Sequence, residues 1–163
     1  LLYNWIIVCL SLGFIFPLYG TSKEDFIADR AAYKPYYSKE NIVIIASTGR
    51  SGSTMLTDAI QAQATNYRVL KTHLLPPNKK FKGKIIFVFS NPDKATESAL
   101  HRCLQDKLFA KEHFIHVETA DRAWARRLGN AHYQTLADNL LSYDALGINE
   151  HLKVWLYTAT VPT

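Results

Sequence analysis

The chain reads as an α/β protein built on a parallel β-sheet, and three observations predict it. Ile42–Ala46, I-V-I-I-A, is an apolar, mostly β-branched run with no polar alternation, the pattern of a strand buried on both faces. Lys84–Phe89, K-I-I-F-V-F, is a second run of that kind. Between and after them lie segments of helical spacing, and strands alternating with helices imply parallel pairing with right-handed crossovers.

In chain order, Leu1–Gly20 carries no charged residue and has about the length, roughly 20 residues, that crosses a bilayer as a helix. It predicts an N-terminal hydrophobic helix over residues 1–20, a transmembrane or signal-anchor segment with Trp5 and Tyr19 at the interfaces. The corresponding location is a membrane, single-pass, of Golgi or other endomembrane type in a eukaryote. A cleaved signal peptide, giving a secreted protein, competes, but Leu18-Tyr19-Gly20 is a poor cleavage site and no basic region precedes the run. A buried core helix or strand pair is the remaining alternative. Residues 21–40 are polar, with Lys23, Arg30, Lys34 and Lys39 beside Glu24, Asp25 and Asp29, and read as a stem leading to the Pro35-Tyr36-Tyr37 break. Residues 41–163 amount to one domain.

After the strand Ile42–Ala46 comes S-T-G-R-S-G-S-T, and then Met55, Leu56, Ala59 and Ile60 continue as a helix to Ala64. Gly49 and Gly52 permit positive φ, and Ser53 or Thr54 is expected to cap the helix. A strand, a glycine-containing loop and a helix start make an anion site, because the first turn's N–H groups are free and its dipole end is positive. Arg50, Ser51, Ser53 and Thr54 add side-chain donors. An ATP or GTP P-loop requires glycine where Ser47 stands and lysine where Ser53 stands, so that motif is missed twice. A ligand-free tight turn is the bland alternative.

Tyr67–Thr72 is expected as a short strand, Pro76–Lys80 as a loop, and Asp93–Ala110 as one helix burying Ala95, Ala99, Cys103, Leu104 and Leu108. Phe114–Val117 reads as a short strand, and Ala120–Leu128 and Ala131–Leu141 as helices. Ligands of parallel sheets sit at the strands' carboxyl ends, where Gly49–Thr54, His73 and Asn91 fall.

The net charge of +5 and pI near 9.2 suit an anionic partner, yet the basic residues form no stripe of the kind nucleic acid requires. Cys9 and Cys103 are the only cysteines, which excludes a disulfide framework and a cysteine-based metal site. His113 and His116 with Glu112 and Glu118 invite a metal, but alternating polar residues on a short strand explain them better. The cluster Arg122, Arg126 and Arg127 reads as a solvated helix face.

Three stretches, in order, resemble the P-loop sulfotransferase family. Thr48-Gly49-Arg50-Ser51-Gly52-Ser53-Thr54-Met55-Leu56 is similar to the loop that holds the 5'-phosphosulfate of 3'-phosphoadenylyl sulfate (PAPS), with arginine where other members carry lysine. Lys71-Thr72-His73 is similar to the K-T-H segment of the cytosolic branch, whose histidine is the catalytic base. Val88–His101 resembles the second strand-turn-helix, R-N-P-x-D-x-x-x-S, which binds the donor's 3'-phosphate. There Asn91, Pro92 and Ser98 match, whereas Ser90 replaces the arginine and Lys94 the acidic residue, with Asp93 displaced by one. Lys94, Arg102 or Lys71 could supply the missing charge. Leu140–Leu146 resembles a late strand ending in Y-E-D-L, ahead of a helix through Leu152–Leu156, and the family's C-terminal glycine segment is not visible before Thr163. The resemblance thus covers Ile42–Arg102 best and suggests a shortened or truncated domain.

The resemblance implies a P-loop-type three-layer fold and an enzyme that moves a sulfuryl group from PAPS to a hydroxyl or amine acceptor, a carbohydrate or small molecule. The donor would be held by Ser47, Thr48, Gly49, Arg50, Ser51, Gly52, Ser53, Thr54, Ser90, Asn91 and Ser98, with His73, Arg50 and Lys71 as catalytic residues. The chemistry agrees: the leaving phosphate needs donors, which Arg50 and Ser53 offer, and the acceptor needs a base. His73, with an ordinary pKa of about 6.5, suits that task. Lys71 is two residues away on the same strand face. Sulfate carries less charge than phosphate, so no metal is required. The alternatives are an inactive nucleotide-binding relative and a P-loop nucleotide kinase or NTPase.

Overall fold

The computed structural model of the chain describes residues 5–9, 26–77, 81–125 and 143–160. Five strands, β1 (Trp5–Cys9), β2 (Phe26–Ile27), β3 (Ile42–Ser47), β4 (Arg68–Thr72) and β5 (Lys84–Phe89), form one sheet in the order β1-β5-β3-β4-β2. Every pairing is parallel. The helices are α1 (Ser53–Gln63), α2 (Pro92–Gln105), α3 (Lys107–His116), α4 (Arg122–Ala125) and α5 (Ile148–Thr160), with a 3-10 helix over Arg30–Tyr36.

β3 is the central strand and is buried along its whole length, which is why its sequence is apolar without alternation. Its odd-numbered Val43 and Ile45 join Val69 and Val88 beneath Leu56 and Ile60 of α1. Its even-numbered Ile42, Ile44 and Ala46 join Leu70 and Phe87 beneath Trp155 of α5, and the Trp155 and Phe87 rings stack at 4.8 Å. A third cluster gathers Ala95, Ala99, Leu100 and Cys103 of α2 with Phe114 of α3 and Leu146 and Ile148. The expected α/β class with a parallel sheet is therefore what the chain adopts, with helices on both sheet faces.

Several local expectations are corrected. Trp5–Cys9 is a strand, paired Trp5 to Ile85 through Cys9 to Phe89, not part of a hydrophobic helix. β-branched Ile6, Ile7 and Val8 favour extended backbone, and the flank of β5 offers N–H and C=O groups that this segment satisfies. The rest of residues 1–20 lies outside the described residues, and so does the remainder of the expected membrane segment; among the described residues no helix is long and apolar enough to cross a membrane. Part of the expected stem belongs to the domain: β2 pairs with β4, and Tyr33 is only 1% exposed. Arg30 ties this segment to Glu118 at 2.6 Å.

The single helix expected over Asp93–Ala110 is two. Asp106 is extended (φ −136°, ψ 102°), and its carboxylate accepts from Leu108 N and Phe109 N to start α3, the competition with helical bonding that suits Asp to a cap. The break turns Leu108 outward, 65% exposed, instead of extending the buried stripe. Phe114, Ile115 and His116 are the end of α3, with Val117 its C-cap, rather than a strand, so His113 and His116 stand one helical turn apart, not on alternating strand positions. Residues 144–146 form a turn whose Asp144 carboxylate accepts from Asn149 N and Glu150 N at the start of α5. Glycine is required at 147, where φ is 69° and a Cβ would lie 2.4 Å from the backbone of Thr119 and Ala120. The expected helix Ala131–Leu141 and residues 126–128 of Ala120–Leu128 fall outside the described residues.

Candidate functional site

Because all five strands run the same way, the ends of β3 and β4 deliver the loop 48–52 and His73 to one edge of the sheet. A cleft of about 920 Å³ opens there, lined by Gly49, Arg50, Gly52, Ser53, Thr54, Lys71 and His73 on the sheet side. Phe26 of β2, Ala28, Phe109, Glu112, His113 and His116 of α3, and Val117 complete the lining.

The loop owes its shape to left-handed backbone at Gly49 (φ 85°), Arg50 (φ 53°) and Gly52 (φ 79°). Nothing lies within 4 Å of a Cβ built on Gly49, so glycine serves conformation there and not close packing. The expected Ser53 or Thr54 cap is corrected: Gly52 is the N-cap, and no side chain caps α1. Ser53 and Thr54 sit inside the first turn instead, which leaves that turn's N–H groups without a capping side chain and suited to an anion.

The side chains divide into those that build the loop and those that face the cleft. Thr48 is buried against Gly49 O, and buried Ser51 donates to Val88 O at 3.2 Å, so these two hydroxyls bind backbone rather than offering donors to a ligand. Ser47, fully buried, donates to Ser53 Oγ at 2.9 Å and accepts from Gly49 N. Arg50 is exposed, and its Nε donates to Ser98 Oγ at 3.0 Å, which joins the first and third sequence motifs across 48 residues. Lys71 Nζ donates to Thr54 Oγ1; burial is the main cause lowering its pKa, with Asp58 opposing.

Ser90 and Asn91 are not in the cleft lining. Asn91 Oδ1 accepts from Lys94 N at 3.1 Å and so caps α2. Arg102, a candidate to replace the charge absent at Ser90, is paired with Asp106 at 2.9 Å.

His73 Nδ1 lies 3.0 Å from Ser47 O and 3.0 Å from Ser47 Oγ. A carbonyl only accepts, so Nδ1 carries the hydrogen and Nε2 the lone pair. Burial first, and then Lys71, push the His73 pKa down to about 3, against the opposing bond to Ser47. The imidazole is therefore neutral at pH 7 with a free lone pair, but its protonated form is costly until negative charge enters the cleft. The Phe26 ring packs against both His73, tilted at 5.6 Å, and His116, edge-on at 5.0 Å between centroids. His113 Nε2 donates to Leu146 O at 2.9 Å. Among the described residues no group of three or more His, Cys, Asp or Glu is arranged to hold a metal ion.

His151 is fully buried, with Nε2 3.2 Å from Leu74 O, and desolvation lowers its pKa to about 4. Both His73 and His151 are depressed in the fold relative to about 6.5 in the unfolded chain. Their neutral forms thus stabilise the fold above that value, and this contribution is lost as pH falls from about 6.5 toward 4, by roughly 1 kcal/mol per pH unit for each histidine. Urea unfolding midpoints measured from pH 7.5 to 4.5 should fall with acid over that window; a flat profile would refute the desolvation of these two rings.

Phe26 and Phe109 carry no motif and were not legible as site residues; only the fold brings them, with Glu112, to the cleft. Comparison of the chain with protein-family models, with curated proteins and with solved structures finds no match. The functional reading rests on the cleft itself.

Proposed function

We propose that the chain is a PAPS-dependent sulfotransferase of P-loop-type, three-layer architecture. The observation that carries the reading is the convergence of an uncapped helix start, Arg50, Lys71 and a neutral histidine on one cleft, with Arg50 bonded to Ser98. The phosphosulfate fits the loop's N–H groups, Arg50 and Thr54, while the acceptor fits between His73 and the wall of Phe26, Phe109 and Glu112. The acceptor's hydroxyl or amine attacks sulfur, the bond from sulfur to the bridging phosphate oxygen breaks, and the acceptor proton passes to His73 Nε2. Arg50 and Lys71 stabilise the charge that gathers on the leaving 5'-phosphate. The negative donor also raises the basicity of His73 from its depressed value in the empty cleft.

A second reading, a relative that binds the 5'-phosphosulfate without transferring it, is favoured by the 3'-phosphate region: Ser90 carries no charge, and the Asn91 side chain caps α2. Incubation of the full chain with ³⁵S-labelled PAPS and a panel of alcohols and amines, in the presence of a metal chelator, separates the two. Labelled product without magnesium supports the transferase; donor binding with no product from any acceptor supports the second reading.

A further inference from the structure

Ser47 was expected to touch the donor, yet its side chain is wholly enclosed and joins three parts of the site. Its hydroxyl donates to Ser53 Oγ (2.9 Å), accepts from Gly49 N (3.3 Å) and stands 3.0 Å from His73 Nδ1. The hydroxyl oxygen can accept from His73 because its own hydrogen is given to Ser53. Ser53 Oγ, having accepted, keeps its hydrogen to donate, and Ser53 lines the cleft. The Nδ1 hydrogen of His73, shared between Ser47 Oγ and Ser47 O at 3.0 Å each, and the two hydroxyl hydrogens then point one way, from His73 through Ser47 and Ser53 toward whatever anion the loop holds.

We infer that Ser47 is a positioning residue that couples the base to the donor site: an anion accepting from Ser53 polarises the Ser53–Ser47 hydroxyl pair and so strengthens the ability of His73 to hold a second proton. Hydrogen bonds aligned in this way reinforce one another in a low-dielectric setting, and bonding to the charged form of a group raises its affinity for the proton. The consequence is an ordered device in which His73 is a poor base in the empty cleft and a better one once the donor is seated. The inference rests on the proposed reading of the cleft.

Other charged and titratable groups surround His73: Lys71 from β4, His113 from α3 and His151 from α5 act on it electrostatically, and Arg50 from the loop with Glu112 and His116 from α3 line the same cleft. Their field acts through space and is unchanged when a hydroxyl is removed, so it serves as the background. The test is an NMR pH titration of ¹⁵N-histidine-labelled full chain, with the His73 signal assigned by its loss in His73→Gln. Titrations are run without and with saturating 3'-phosphoadenosine 5'-phosphate, in wild type, Ser47→Ala and Ser53→Ala. In wild type the ligand should move the His73 midpoint upward by about one pH unit or more. Each variant should lose at least half of that rise; Ser53→Ala breaks the relay without touching His73, so it decides the matter if Ser47→Ala does not fold. An equal rise in both variants overturns the relay and leaves the binding site standing. Absence of binding by folded wild type overturns the site and the relay together.

Discussion

His73→Ala is expected to reduce sulfuryl transfer by roughly 10²- to 10⁴-fold, the range that a positioned base contributes, while leaving the affinity for 3'-phosphoadenosine 5'-phosphate within a few-fold of wild type. The two halves follow from different atoms. His73 Nδ1–H is spent on Ser47, so the ring offers the cleft a lone pair on Nε2 and no donor for a phosphate. Binding by the loop therefore survives its loss, whereas proton removal from the acceptor does not. A split of this kind, with transfer lost and binding kept, is what a base produces and what a structural residue does not. Equal losses in both would make His73 part of the scaffold.

Arg50→Ala should act on the other half of the site. Charge-assisted bonds from a guanidinium contribute about 1.5–3 kcal/mol each, so binding of the adenosine bisphosphate should weaken by roughly 10- to 100-fold. Arg50→Lys, which keeps the charge but not the fork, should fall between the two. Stability should change little, because Arg50 is exposed and its bond among the described residues reaches the side chain of Ser98. Calorimetric titration with thermal melts on the same samples checks both statements.

Much of the sheet was legible because β3 and β5 are apolar without alternation, a pattern that only burial on both faces explains. Loop 48–52 was legible through its glycines, and the structure brings Arg50, Lys71 and His73 together as their positions at strand ends require. The misreadings share a cause: local propensity was read without the neighbour that overrides it. Trp5–Cys9 looked like the start of a hydrophobic helix, but it pairs along β5. Asp106 looked like an interior helix residue, but its carboxylate satisfies the N–H groups of Leu108 and Phe109. Ser51 was counted as a ligand donor by residue type, and Ser47 and Thr48 through the resemblance. Their burial shows that a hydroxyl in such a loop serves the backbone or a neighbour before any ligand. The place of Phe26 and α3 beside the loop could not be read, since they approach His73 only through the tertiary fold, and Glu112, His113 and His116 stood out in the sequence only as a group that could invite a metal.

The most direct test of the donor site is calorimetric titration of the full chain with 3'-phosphoadenosine 5'-phosphate in the presence of a metal chelator. The cleft's chemistry predicts one saturable site that competes with PAPS and is lost or strongly weakened in Arg50→Ala. A folded wild-type chain that takes up no ligand, or one that binds it with equal affinity after Arg50→Ala, would contradict the assignment of loop 48–52 to the donor.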